Sequence, residues 1–134
     1  MSKPSESAIA TQNQYSTKTS VEPKELALQI ADAALEKKAA DIVLLKVSDV
    51  SYLADYFIII TGFSKTQLNA IAESIEDRLE EQYNLHPVRV SGKKEGGWIV
   101  QDYGDAIVHT FLPEEREYYN LEAFWGHAER QELS

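Results

Sequence analysis

Cysteine is absent from the 134-residue sequence. Disulfides, thiolate nucleophiles and sulfur-ligated zinc are excluded together, and the chain suits a reducing interior better than a secreted scaffold. Long apolar runs are missing too. No stretch approaches the roughly 20 residues that cross a bilayer, and the first residues lack the apolar core of an export signal, so a cytoplasmic protein is expected. Positive charge is in short supply: 13 Lys plus Arg face 22 Asp plus Glu, for a formal charge of -9. Phosphate backbones would be repelled on average, which disfavours specific nucleic-acid recognition. The same charge favours encounter with a basic protein, although acidic surfaces also serve solubility alone.

The motifs of common catalytic machinery are also missing. Gly92-Lys93-Lys94-Glu95-Gly96-Gly97 resembles a phosphate loop only superficially. Trp98-Ile99-Val100 follows it and reads as a strand, whereas a phosphate loop needs Lys-Ser/Thr opening a helix. His86, His109 and His127 fall in a loop, a strand and the tail, with no standard metal-ligand spacing. Asp102 and Asp105 lie three apart across a turn, where local backbone capping explains them more simply than two-metal chemistry. No Ser or Thr stands in a nucleophile elbow. The residues point to no enzyme, no metal and no cofactor.

Residues Met1 to about Val21 are rich in Ser, Thr, Gln and Asn, which predicts a flexible polar tail over 1–22. An organelle-targeting segment is the alternative for that stretch, and its lack of Arg speaks against it. From Pro23, Leu26, Ile30, Ala33 and Ala34 recur at helical spacing. Ile42–Val47 and Tyr56–Thr61 are short β-branched apolar runs that read as buried strands. Ser64 and Gln67 form a capping box before Leu68, Ile71, Ala72, Ile75 and Leu79, a second helix ending near Tyr83 or Asn84. Val88–Ser91, Trp98–Tyr103 and Ala106–Phe111 predict three more strands, the last two joined as a hairpin through Gly104. Pro113, Glu114 and Glu115 start a short helical piece running through Trp125. The expectation is one α/β domain over 23–128 with a mixed five-stranded sheet in the order αββαβββα, flanked by helices, and a polar tail over 129–134.

Large amphipathic side chains concentrate near the C-terminal end: Trp98, Tyr103, Tyr118, Tyr119, Phe124 and Trp125, interleaved with Asp102, Asp105, Glu115, Arg116 and Glu122. Aromatics and arginine are favoured interface anchors. Packing onto the sheet is the competing role, expected for Phe124 and at least one Trp. His109 lies on the same strand face as Ile107 and Phe111, either held by hydrogen bonds that order the hairpin or contacting a partner.

The run from Gly96-Gly97-Trp98 through Asp102-Tyr103-Gly104-Asp105 to His109-Thr110-Phe111, then Arg116 to Trp125, closely resembles the ribosomal silencing factor family, also called Iojap-like. Ala54 to Gly62 and the Ser64 helix are similar to the same family, so the resemblance covers about Leu26 to Trp125. It implies a nucleotidyltransferase-like fold without the catalytic acids: Gly62-Phe63-Ser64 stands where those enzymes carry a glycine-serine signature, and no Asp-x-Asp or Asp-x-Glu follows in place. It also implies a repressor of translation that binds the large ribosomal subunit through its protein number fourteen and blocks joining of the small subunit when nutrients are short. By position in the matching motifs, the partner-binding residues are expected to be Trp98, Asp102, His109, Glu115, Arg116, Tyr119 and Glu122. A residual nucleotide-binding or nucleotidyl-transferring enzyme is the alternative, and a homodimer is compatible with either.

Overall fold

The computed structural model describes residues 21–49, 54–93 and 96–134. The polar tail expected over 1–22 therefore lies, up to residue 20, outside the described residues, as do residues 94 and 95 of the glycine-rich loop. The elements are α1 (Pro23–Leu35), β1 (Ala40–Lys46), β2 (Tyr56–Thr61), α2 (Lys65–Tyr83), β3 (Arg89–Ser91), β4 (Trp98–Asp102), β5 (Ala106–Phe111), α3 (Pro113–Tyr119), α4 (Leu121–Phe124) and β6 (Glu129–Glu132).

The strands form one mixed sheet in the order β3-β4-β5-β2-β1-β6. β2 and β5 run parallel at its centre, and the other neighbours are antiparallel. The nearly continuous apolar sequences of β1 and β2 follow from this position, because both faces of the central strands are covered. On one face Ile42, Leu44, Ile58, Ile60 and Val108 meet the buried stripes of α1 and α2. Four alanines of α1, Ala27, Ala31, Ala33 and Ala34, are buried in that layer. On the other face Val43, Leu45, Phe57, Ile59 and Phe111 form a second cluster against which Trp98, Leu121, Trp125 and Ala128 pack.

α2 begins as its sequence dictates. The Gln67 amide donates to Ser64 Oγ at 3.0 Å, and Gln67 Oε1 accepts from the Phe63 amide at 2.7 Å. It ends at Asn84, whose left-handed φ of 52° closes the last turn through an N–H bond to the Glu80 carbonyl. Gly62 lets β2 pass close beneath α2, since a Cβ there would sit 2.7 Å from Leu68 Cδ2. Gly104, at φ 86°, turns the β4–β5 hairpin, and the Asp102 carboxylate accepts its N–H at 2.8 Å. That is the local capping expected of Asp102.

Three expectations are corrected. The sheet has six strands among the described residues, not five, because Glu129–Glu132 pairs antiparallel with Lys46–Val43 where a polar tail was expected. The edge of β1 supplies the backbone partners, so the added strand needs no apolar side chains of its own. The C-terminal helical piece is two helices rather than one, broken at Asn120, whose φ of 48° is left-handed. Phe124 is 76% exposed instead of packed on the sheet, while both Trp98 and Trp125 do pack there.

Candidate partner-binding face

Alternation along β4 and β5 places Trp98, Val100 and Asp102 beside Ile107, His109 and Phe111 on the sheet face turned away from α1 and α2. The α3–α4 segment lies over one side of this face. Trp98 is the hub. Its ring stacks on Phe111 at 4.9 Å between centroids and meets Tyr119 of α3 at 4.5 Å. Its indole N–H donates to His109 Nδ1 at 3.2 Å. Phe57 lies 5.1 Å from the His109 ring and makes an edge contact with Trp125 at 5.3 Å. The result is a continuous aromatic plate joining β2, β4, β5 and both short helices.

His109 is only 8% exposed, and burial pushes its pKa down from 6.5 to about 4. It is therefore neutral at physiological pH. Because Nδ1 accepts the indole proton, the ring proton sits on Nε2, which is buried without a hydrogen-bond partner. Ordering of the hairpin, one of the two roles read from the sequence, is met by the Trp98–His109 bond.

Arg116 and Glu122 form a different kind of centre. The Arg116 guanidinium donates to both Glu122 oxygens at 3.0 Å, to Thr61 Oγ1 at 2.7 Å and to the Asp41 carbonyl. The Arg116 side chain is 13% exposed and that of Glu122 17%. The Arg116 hydrogen bonds hold Glu122 below the usual carboxylate range. These two residues clasp α3 and α4 to the ends of β1 and β2. The sequence carried no signal for that clasp: neither the break at Asn120 nor the partners Thr61 and Asp41 stand out in it.

The remaining expected residues divide. Tyr119 and Glu115 reach the aromatic plate, Tyr119 by its ring and Glu115 by laying its carboxylate against Gly97, where a Cβ would come 2.6 Å from Glu115 Cδ. Glu114, Glu115, Tyr118 and Tyr119 line an open hollow on α3, with Tyr118 79% exposed. Asp102 stands apart at the far end of β4 with its carboxylate in the turn. Phe57 was not singled out from sequence, and Tyr118 was named among the amphipathic aromatics without being placed among the expected binding residues. Phe57 alternates with Ile59 and so could have been placed on this face by parity alone.

At the start of α2 the Phe63 and Gln67 amides are taken by Gln67 and Ser64 themselves. Anion binding at a helix start depends on free amides. Among the described residues there is no grouping of three or more His, Asp or Glu that could hold a metal ion, and no helix long and apolar enough to cross a membrane.

Comparison with known proteins adds to this picture. Residues 20–134 match the family described as ribosomal silencing factor during starvation. A ribosomal silencing factor of Bacillus subtilis is 42% identical over 107 residues, covering 79% of this chain and 90% of the relative. The chloroplastic protein Iojap of Zea mays is also 42% identical over 107 residues, 80% of this chain and 46% of that longer protein. A crystal structure of a Chromobacterium violaceum protein superposes with a TM-score of 0.76 at 35% identity, over 79% of this chain and 88% of the other.

Proposed function

The chain belongs to the ribosomal silencing factor family, a regulatory and non-enzymatic family associated with the ribosome, and from that premise we propose that it binds the large subunit through ribosomal protein number fourteen. Occupying that protein blocks joining of the small subunit and represses translation under nutrient limitation, in the cytoplasm. The observation that carries the reading is the aromatic plate with its acidic border. Buried Phe111 backs Trp98, which is partly exposed, and Tyr119, which is half-exposed, at the edge of the α3–α4 cover, and Glu114 and Glu115 flank the exposed Tyr118. Rigid aromatics surrounded by charge are the composition of protein-docking hot spots. Ribosomal proteins are generally basic, and a chain of net charge -9 is attracted to them over the length that salt leaves unscreened.

Within this reading the contacts are made by Trp98, Glu115 and Tyr119, with Asp102 at the border, while the buried His109 supports Trp98 from beneath. Arg116 and Glu122, whose hydrogen bonds are spent inside the molecule, hold the contact surface in shape.

The test is binding of the isolated ribosomal protein together with a subunit-joining assay. Purified chain should hold large subunits apart from small ones in a sucrose gradient. Tyr119→Ala, which removes a half-exposed ring, should weaken binding by about 2 kcal/mol and relieve the block in proportion. Normal joining at saturating chain would overturn the reading.

A further inference from the structure

We infer that the edge strand β6 is a strap that holds α3 and α4 in their docked geometry, with Arg130 as its positioning residue. The two helices have little to keep them in place by themselves. They are seven and four residues long, neither contains a buried residue, and Asn120 breaks the path between them. Isolated helices of this length are not stable in water. Yet Tyr119 must stay at 4.5 Å from Trp98, and Trp125 at 5.3 Å from Phe57, for the aromatic plate to exist.

β6 adds a constraint to the Arg116 clasp and the packing of Leu121 and Trp125. All four of its residues are exposed, so it adds nothing to the core, and its backbone is paired along Val43–Lys46 of β1. Just beyond it, the Leu133 amide donates to the Ile42 carbonyl at 2.8 Å, and Ser134 Oγ accepts from the Ile42 amide at 3.3 Å. From that fixed rail Arg130 projects onto the α3–α4 side and pairs with Glu122 Oε2 at 3.1 Å, while Glu132 pairs with Arg130 at 3.2 Å. Glu122 is the same carboxylate that holds Arg116. Charges therefore alternate Arg116, Glu122, Arg130, Glu132, drawn from α3, α4 and β6, and the series is anchored to β1 and β2 through the Asp41 carbonyl and Thr61. An isolated exposed ion pair contributes little, but a networked carboxylate that is mostly buried couples its neighbours.

The strap is tested on the free chain by hydrogen exchange, which needs no partner and so stands apart from the docking reading. Arg130→Ala keeps every β1–β6 backbone bond and removes only the clasp. Its amides in α3 and α4 should exchange about tenfold faster than in the unaltered chain, with α2 unchanged. Arg130→Lys should restore most of the protection, and Arg130→Glu, which repels Glu122, should lose more than Arg130→Ala. Deleting residues 129–134 should have the largest effect if circular dichroism shows the remainder folded. Unchanged exchange of α3 and α4 in both folded Arg130→Ala and Arg130→Glu overturns the strap. If instead those helices loosen while binding of the ribosomal protein is unaffected, the strap stands and the docking surface lies elsewhere.

Discussion

His109 makes the protein's stability depend on acid in a window that surface histidines leave untouched. Its unfolded imidazole takes up a proton near pH 6.5, and its folded one only near 4. Between those values the unfolded state binds more protons, so stability rises with pH and is complete only above the upper limit. Protonation would also put a second N–H at Nδ1 against the Trp98 donor. The loss across the window is on the order of 3 kcal/mol. Urea titrations at pH 7.5 and 4.5 should show a markedly smaller difference for His109→Gln than for the unaltered chain; equal differences would mean the imidazole is not buried in its neutral form. Glu122 acts in the same direction, since a carboxylate held low contributes stability that disappears as pH falls through its folded value. The place of His109 on the Phe111 face was legible in strand parity. Its bond to Trp98 was not, because eleven residues and a turn separate the two and only the hairpin register sets them diagonally across adjacent strands.

Among the elements, α1 and α2 are linked by Ser74, which donates to the Ala33 carbonyl, by Arg78, which pairs with Asp32 and Glu36, and at the start of α2 by Gln67. Gln67 Oε1 accepts from Phe63 at the start of α2, while its Nε2 donates to the carbonyls of Lys37 at 2.9 Å and Lys38 at 3.1 Å, just past the end of α1. Gln67→Glu is ordinarily neutral in a capping box, where either residue reaches the N-cap amide. Here it removes two donors and sets a carboxylate against two carbonyl oxygens. We expect a loss of about 1–3 kcal/mol in chemical denaturation, larger than that of Ser64→Ala at about 0.5–2 kcal/mol. Gly62→Ala should also destabilise, by about 1–3 kcal/mol, because Leu68 and Ile71 occupy the space a methyl needs. Elements with a strong local code were readable: the Ser64 box, the apolar stripe of α2, the runs of β1 and β2, and the Gly104 hairpin all formed as their residues imply. Glu-Arg-Gln-Glu carries no alternation of apolar and polar residues, so β6 could not be read. Its strand form is imposed by the open edge of β1, a property of the assembled sheet rather than of the segment. Asn120 was likewise silent, since asparagine enters the left-handed region without announcing it in the pattern around it.

At the scale of the molecule the proposed docking predicts that the charge of -9 governs how the partner is found more than how tightly it is held. Association with the basic ribosomal protein should slow steeply as salt is raised, with dissociation changing less, in surface-immobilised binding kinetics. Deleting residues 1–20 should leave affinity within about twofold, since their polar composition gives little to offset the entropy of ordering them. Salt-independent association would shift the burden of recognition to the aromatic plate alone. The sheet order has one more effect, on the time at which the protein becomes complete. β6, the last of the six strands in sequence, pairs with β1, the first. During synthesis every other strand leaves the exit tunnel while β1 still has a bare edge, and the β2–β5 core can close before the clasp on Glu122 exists. A newly made chain thus passes through an interval in which its central strands are paired but α3 and α4 are unfastened, and that interval closes only when β6 has joined β1.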